Sequence, residues 1–594
     1  MCGIAGEIRR NGAPADIAAV ARMTNAQARR GPDAQGLRAQ GPIAFGHRRL
    51  RIIDISDAAE QPMVDSHLGL SIVYNGAIYN YRALRDELIA KGYRFYSQGD
   101  TELILKAYHA WGPDAVIRFN GMFAFAIHER DTGIVFAARD RLGIKPFYYA
   151  EAGGAFRFAS TLPALLAGGG IDTRIDPTAL NFYLSFHAVV PAPYTILRGV
   201  RKLPPGHMLT VHPDGRRIVD RYWELAFEPS RADAARDERD WQDEVLAAVR
   251  RAVERRLVAD VPTGVLLSGG LDSSLITGLV HEIAGAPVRT FSIGFDGAGG
   301  EEGNEFRYSD VIADHFKTDH ARIVVGTGNL VQRLNECIGA MSEPMVSHDN
   351  VAFYLLSEEV SRHVKVVLSG QGADEVFAGY HWYPPMLGSN DPVADYTRSF
   401  CDRDYAEYAA LVAPELRAGD AARDFVAAHF EQEAADRPID KALHIDQTVM
   451  LPDDPVKRLD NMSMAHGLEA RVPFIDHELV ELAARVPAEL KIRGGGKYVL
   501  KEAARRVIPS AVIDRPKGYF PVPALKHIEG PVLDYVRDIL DAPAARERGI
   551  FDRDMVDAYL GAPGDHITPL RGSKLWQVAL LEAWLQSNNI GGTA

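Results

Sequence analysis

Cysteine is scarce in this chain: three residues among 594, at positions 2, 337 and 401. Three thiols so dispersed build no disulfide framework, and no CxxC pair or Cys/His cluster has zinc-ligand spacing. Long apolar runs are also missing. No stretch reaches about 18 consecutive apolar residues, so no membrane-spanning helix is expected. The opening Met1-Cys2-Gly3-Ile4-Ala5 has no basic segment leading into an apolar run and does not read as a signal peptide. Basic excess is absent: the formal net charge is −13, spread along the chain, which argues against a nucleic-acid surface or a polybasic membrane patch. Internal repeats and low-complexity segments are lacking too. These absences point to a soluble protein of a reducing, cytoplasmic compartment.

What is present is ordinary globular material, 47% hydrophobic and 24% charged, long enough for two or three domains. Up to about residue 215, β-branched and aromatic runs bounded by Gly, Asn or Asp predict strands at 43–55, 68–76, 121–129 and 133–140. Helical patterns interrupt them near 81–91 and 101–111. That mixture predicts an α+β domain over 1–215. A linker follows over 216–240, its stretch 226–240 polar and highly charged, and a second domain covers 241–594. There, "TGVLL" (263–267), a Gly/Ser turn, a helical period over 274–283 and further strands at 288–295 and 364–370 spell βαβ, the signature of a parallel α/β sheet. From about 400 onward the pattern is mostly helical.

Two places carry chemistry. The first is Cys2. A small second residue normally allows removal of the initiator Met, which would give Cys2 a free α-amine with a pKa of roughly 7.7–8.0. That amine can act as base for its own thiol. The alternative is an incidental small residue, since a reactive thiol needs a supporting environment. The second is "LLSGGLDSS" (266–274), a Gly/Ser turn between a strand and a helix. Glycine N–H groups, serine hydroxyls and a helix N-terminus suit phosphate, and Asp272 would repel phosphate unless it held a cation such as Mg²⁺. No Gly-Lys-Ser/Thr follows, so this is not a Walker A loop.

"MCGIAGEI", "RRGPDAQG" (29–36), "HRRLRIIDIS" (47–56), "QPM" (61–63), "YNGAIYN" (74–80), "GDTELIL" (99–105) and "RDRLGIKPFYY" (139–149) occur in this order. Together they resemble the class II glutamine amidotransferase domain, an N-terminal nucleophile sandwich. The resemblance implies that Cys2 attacks the glutamine amide to form a thioester and release ammonia. It also implies that Asn75 and Gly76 supply the oxyanion hole and Arg49 binds the α-carboxylate. Asp100 would bind the α-ammonium, with Leu50, Ile52, Ile53 and Ala77 completing the glutamine site. One departure stands out: the family usually reads Asn-Gly-Glu, and its Glu shares the α-ammonium with the later Asp. This chain reads Asn75-Gly76-Ala77.

"LLSGGLDSS", "SGQGADEVFAGY" (369–380), "LEARVPFID" (468–476) and "GGKYVLKEAA" (495–504) are similar to the ATP-pyrophosphatase-type synthetase domain of asparagine synthetases. With the N-terminal motifs, the resemblance runs from residue 2 to about 525. It implies ATP contacts from Leu267, Ser268, Gly269, Gly270, Asp272, Ser273, Ser274, Ile293, Ser369, Gly370 and Lys497, with Mg²⁺ on Asp272 and Asp374. Lys501 is a further cationic candidate for departing pyrophosphate, or else a solvated helix residue. A carboxylate would become an acyl-adenylate, and ammonia, kept from water between the domains, would displace AMP. The implied partners are small molecules (glutamine, ATP and a carboxylate acceptor), with no nucleic acid and no membrane; a homodimer is admitted.

Aspartate is the family's default acceptor, but this chain departs at the acceptor end. Gln371, a catalytic candidate, stands where the family usually carries a Glu, and it cannot take a proton. Ala352 replaces the usual Pro in "SEPMVSHDNVAFYLLS" (342–357). With Ala77 and "AGYHWYPP" (378–385), these features look similar to the branch that amidates N-acetylglutaminylglutamine, the expected acceptor, with aspartate as the alternative. Two other classes stand beside these: a binding protein that kept the fold without activity, and a hydrolase using one site alone.

Overall fold

A computed structural model describes residues 2–295, 304–325, 330–515 and 528–591. The end of the family resemblance near residue 525 lies outside them. The first domain contains the strands β1 Gly3–Arg9, β2 Ala34–Gln40, β3 Ile43–Arg49, β4 Met63–Asp65, β5 Leu70–Ile78, β6 Gly121–Glu129, β7 Val135–Arg139, β8 Tyr148–Ala152, β9 Ala155–Ala159, β10 Val200–Lys202, β11 His207–Val211 and β12 Arg217–Arg221. They form two antiparallel sheets, ordered β10-β8-β9-β1-β3-β2 and β12-β11-β7-β6-β5-β4.

Strand alternation decides what each face meets. Ile43 and Phe45 of β3, Val73 of β5, and Ala124 and Ala126 of β6 fill the space between the sheets. Their neighbours Ile72, Tyr74, Phe123, Phe125 and Ile127 turn outward beneath the helices Tyr81–Ala90 and Asp100–Trp111. The other sheet's outer face packs under the helices Ile17–Ala26 and Leu162–Gly168 through Val20, Met23 and Leu165. The domain is thus the α+β sandwich expected.

Two segments differ from the sequence reading. Strand structure in 43–55 stops at Arg49, whose guanidinium binds the carbonyls of Asp54 and Ser56 and so bends the chain back on itself. Inside the segment expected as a linker, β12 pairs with β11 and adds an exposed edge to the sandwich. The following helix, Glu238–Arg256, starts at a capping box between Asp237 and Asp240, ahead of the expected 241.

The second domain holds a parallel sheet of β13 Thr263–Leu266, β14 Arg289–Phe295, β15 Asp319–Val325, β16 Val366–Leu368 and β17 Glu469–Arg471. Its order is β15-β14-β13-β16-β17. Chain direction across the sheet reverses between β13 and β16, and beyond that point their carboxyl ends open a crevice where ligands bind in such sheets. The loops leaving the two strands are 267–270 and 369–372, the two Ser/Gly motifs. Among the described residues, no helix is long and apolar enough to cross a membrane.

The domains meet through buried ion pairs. Lys202 of β10 binds Asp453 (2.6 Å) and Glu343 (3.2 Å), and Tyr148 donates to Glu343 (3.0 Å). Arg30 and Lys145 share Asp460, at 2.8 and 3.2 Å. Burial works against ionising Asp453, but Lys202 and Lys457 outweigh it and hold its pKa below the usual range. Removing one member of a buried cluster strands the others. Lys202→Met is therefore expected to destabilise the protein by about 3–5 kcal/mol. Denaturant unfolding monitored by fluorescence checks this, and an unchanged midpoint would refute it.

Candidate active site

The first site lies where the start of β1 passes the loop after β3. Cys2, Arg49, Leu50, Ile52, Ile53, Gly76, Ala77 and Asp100 line one small pocket, joined by Tyr74, Gln61, Glu469 and Arg471. The Cys2 backbone N–H donates to Asn75 Oδ1 (2.9 Å), so removal of Met1 would leave the α-amine at that oxygen. Asn75 Nδ2 is buried with no partner, an open donor beside the thiol. Gly76 is dictated by packing: a Cβ there would sit 2.1 Å from the Met122 carbonyl on the paired strand β6. Burial pushes the Cys2 thiol up, while the Leu50 N–H and the Arg49 guanidinium pull it back. Asp100 begins its helix and accepts from Tyr74 OH (2.8 Å) and Ile78 N–H (2.9 Å). Burial outweighs those bonds and raises its pKa to about 6.

The second site is a cavity of about 550 Å³ at the crevice between β13 and β16. Leu267, Ser268, Gly270, Asp272, Ser273, Ile293, Ser369, Gly370, Gln371, Asp374, Lys497 and Lys501 line it. The helix Leu271–Ala284 begins at the loop with Gly270 as its N-cap, so its first turn faces the cavity. Lys497 Nζ bridges Asp272 (2.8 Å) and Asp374 (2.9 Å). Burial works against this ammonium, but the two carboxylates hold its pKa above the usual lysine value. Glycines make the trio possible. A Cβ at Gly379 would meet Asp374 Oδ1 at 2.1 Å and Lys497 Cε at 2.4 Å.

Two expected ATP contacts fall elsewhere. Gly269 has φ +74° and packs its Cα against the Tyr308–Ser309 backbone. Ser274 is fully buried and does not line the cavity. The helix starts at Leu271 rather than 274, and each residue advances about 100°, so Asp272 and Ser273 face the cavity while Ser274 turns to the core. Ala352 is likewise buried and outside the cavity lining. Its helix, Asp349–Val360, presents Asp349, Phe353 and Leu356 instead, one face at helical spacing.

Among the described residues, no group of three or more His, Cys, Asp or Glu is placed to hold a metal. Asp272 and Asp374 converge within reach of one cation, which suits Mg²⁺ held jointly by two carboxylates, phosphate oxygens and water.

Sequence reasoning left several lining residues without a role. Asp349, Glu375, Tyr380 and Arg458 wall the cavity beside Gln371. Tyr380 OH donates to Glu375 (2.7 Å) and its ring stacks on Trp382 with centroids 4.2 Å apart. Arg458 is buried, reaches Asp454 only at 3.4 Å, and keeps its Nε without a partner. Glu469 and Arg471 of β17 line the Cys2 pocket although they belong to the other domain's sheet. Their signal was two charges two residues apart inside an otherwise apolar strand motif.

Comparison with known proteins agrees with both halves. A family profile described as Glutamine amidotransferase domain matches residues 1–223, and one described as Asparagine synthase matches residues 244–586. Asparagine synthetase (glutamine-hydrolyzing) 3 of Bacillus subtilis is 31% identical, over 95% of this chain and 94% of that protein. Asparagine synthetase (glutamine-hydrolyzing) 1 of the same organism is 30% identical, over 99% and 97%. A putative asparagine synthetase (glutamine-hydrolyzing) of Mycobacterium tuberculosis is 34% identical, over 88% of each chain. The chain belongs to the asparagine synthase family, with a glutamine amidotransferase domain at its N-terminal end.

Proposed function

We propose that this protein transfers the amide nitrogen of glutamine to a carboxylate, driven by cleavage of ATP to AMP and pyrophosphate. The observation that carries this reading is a nucleophile pocket and a phosphate-type crevice in one chain, with Arg471 serving both. Its side chain lines the first, and its carbonyl accepts from the N–H of Ser369 in the second (2.8 Å).

In this reading the Cys2 α-amine takes the thiol proton and the sulfur attacks the glutamine amide carbon. Asn75 Nδ2 and the Gly76 N–H receive the oxyanion, Arg49 the α-carboxylate and Asp100 the α-ammonium. The oxyanion collapses, the C–N bond breaks and ammonia leaves with the proton held by the α-amine; water then releases glutamate from the thioester, and the ammonia displaces AMP from the activated acceptor. In the crevice, the Ser/Gly loops hold ATP and the acceptor carboxylate attacks its α-phosphate. Mg²⁺, held by Asp272 and Asp374, would neutralise charge on the phosphates. Lys497 and Lys501 stand where departing pyrophosphate needs cations.

N-acetylglutaminylglutamine is the proposed acceptor. The wall of Asp349, Phe353, Leu356, Glu375, Tyr380 and Arg458 carries one cation, an aromatic backing and two carboxyls that burial pushes towards the neutral form, Glu375 to about 7. That suits one carboxylate with neutral amides better than aspartate, which brings two carboxylates and an ammonium. Gln371 adds a neutral donor and acceptor. The names of the relatives favour aspartate, the second reading. With ATP, Mg²⁺ and glutamine supplied, kcat/KM from AMP release is expected to be at least tenfold higher for the dipeptide, about 1.4 kcal/mol of discrimination. A higher value for aspartate would reverse the assignment.

The glutamine half also has a pH signature. Asp100 must be ionised to pair an ammonium, and its pKa stands at about 6. In Cys2→Ala protein, which binds without turnover, glutamine affinity should be flat above pH 7 and fall as pH drops through 6, towards about tenfold per unit. Calorimetric titration from pH 5 to 8 tests this; pH-independent affinity would exclude Asp100 as the partner.

A further inference from the structure

In the glutaminase reading Asp100 faces the α-ammonium, and position 77, where the family resemblance implies a second carboxylate, is alanine and buried. An ammonium has three donors and gains from two acidic partners. Asp100 is one, already accepting from Tyr74 and Ile78. The remaining acidic side chain lining this pocket is Glu469, which the synthetase sheet supplies.

Its geometry is well fixed. Glu469 and Arg471 lie two apart on edge strand β17 and so share a face, while parallel pairing with Val366 and Leu368 of β16 sets their register. Arg471 Nε donates to Glu469 Oε1 (2.6 Å), and its Nη1 donates to the carbonyls of Arg256 and Val258, each at 2.7 Å. The guanidinium also lies 5.6 Å from the Tyr79 ring centroid. The carboxylate is 1% exposed. Burial alone would raise its pKa, but the chain's N-terminal ammonium, then Arg471 and Lys145, bring it to about 2. Its charge is also felt at the Cys2 thiol and at Asp100.

We infer that Glu469 is the second partner of the glutamine α-ammonium, a specificity residue lent to the glutaminase pocket by the synthetase domain in place of the acid missing at position 77. This rests on the glutaminase reading above. Arg49 takes the α-carboxylate, Asp100 and Glu469 take the ammonium, and the amide end is left at Cys2. Glutamine recognition thereby depends on β17, the strand that also holds the Ser369 loop.

The test compares hydrolysis of L-glutamine with that of glutaramic acid, the monoamide of glutaric acid, which lacks only the α-amine, in full-length enzyme. Wild type should prefer glutamine by kcat/KM. Glu469→Gln should lose at least tenfold of that preference, mainly through KM for glutamine, with hydrolysis of glutaramic acid falling by much less. Adding Ala77→Glu to Glu469→Gln should restore the preference, a rescue that a merely structural role would not give. Glu469→Asp, which keeps the charge, should retain part of the preference and covers the case in which the glutamine variant folds poorly. An unchanged preference in Glu469→Gln, an equal loss on both substrates, or an Ala77→Glu double variant without rescue would overturn the inference while leaving the glutaminase intact. Wild type that hydrolyses neither substrate would overturn the glutaminase reading itself.

Discussion

Replacing Cys2 with alanine is expected to abolish glutamine hydrolysis, by on the order of 10⁴-fold or more, as loss of a covalent nucleophile does elsewhere. The thiol sits beside an open donor, Asn75 Nδ2, and its own nitrogen faces Asn75 Oδ1. Alanine removes the attacking sulfur and leaves that frame in place. The synthetase crevice lies on another sheet and does not use the thiol. Amide formation from ammonium salts should therefore continue at a rate close to wild type. The variant separates the two half-reactions cleanly. Glutamate release at the wild-type rate would refute the nucleophile assignment. Loss of the ammonia-dependent reaction as well would show that the two sites are not separable in this way.

Asp272→Asn carries the second large effect. Asp272 and Asp374 approach each other closely enough for Lys497 to bridge them, and both line the cavity. Two carboxylates and one ammonium leave this trio with a net negative charge, so ATP's phosphates need divalent cations to enter beside it. An amide at 272 keeps the shape and removes half of the anionic ligand set. Metal stabilisation of a transferring phosphate is worth several kcal/mol, so ATP-dependent amide formation should fall by about 10²–10⁴-fold. Glutamine hydrolysis should persist, since Asp272 takes no part in the Cys2 pocket. Pyrophosphate release, followed by a coupled assay across Mg²⁺ concentrations, reads the effect. Full activity in the variant, or release of ADP in place of AMP, would exclude the assignment.

Much of this architecture was legible before any coordinates, for identifiable reasons. The β-branched and aromatic runs at 68–76 and 121–129 became β5 and β6, paired through Gly76 and Phe123, and one face of each strand meets the other sheet while the other meets helices. Gly76 could be read as fixed by its motif, and the structure supplies the cause, a carbonyl 2.1 Å from where its Cβ would lie. The Ser/Gly loops were legible because a strand, a turn and a helix leave few places for a phosphate. Helix phase was not. The start at Leu271 rather than 274 moved Ser274 out of the cavity; Ala352, singled out because it replaces the family's usual Pro, is buried, and Asp349 of the same helix lines the cavity. Glu469 and Arg471 stood out as two charges in an otherwise apolar motif, but nothing local says that an edge strand of one sheet will wall the pocket of another domain.

Coupling of glutamine hydrolysis to ATP-driven amide formation in one chain is open to direct measurement. Incubation with ATP, Mg²⁺, amide-¹⁵N glutamine and N-acetylglutaminylglutamine or aspartate, followed by mass spectrometry and nucleotide analysis, tests it most directly. Glutamate, AMP, pyrophosphate and a ¹⁵N-amide product are expected in equal amounts, with the dipeptide the better acceptor. Glutamate without AMP for either acceptor, or ADP and phosphate in place of AMP and pyrophosphate, would contradict this expectation.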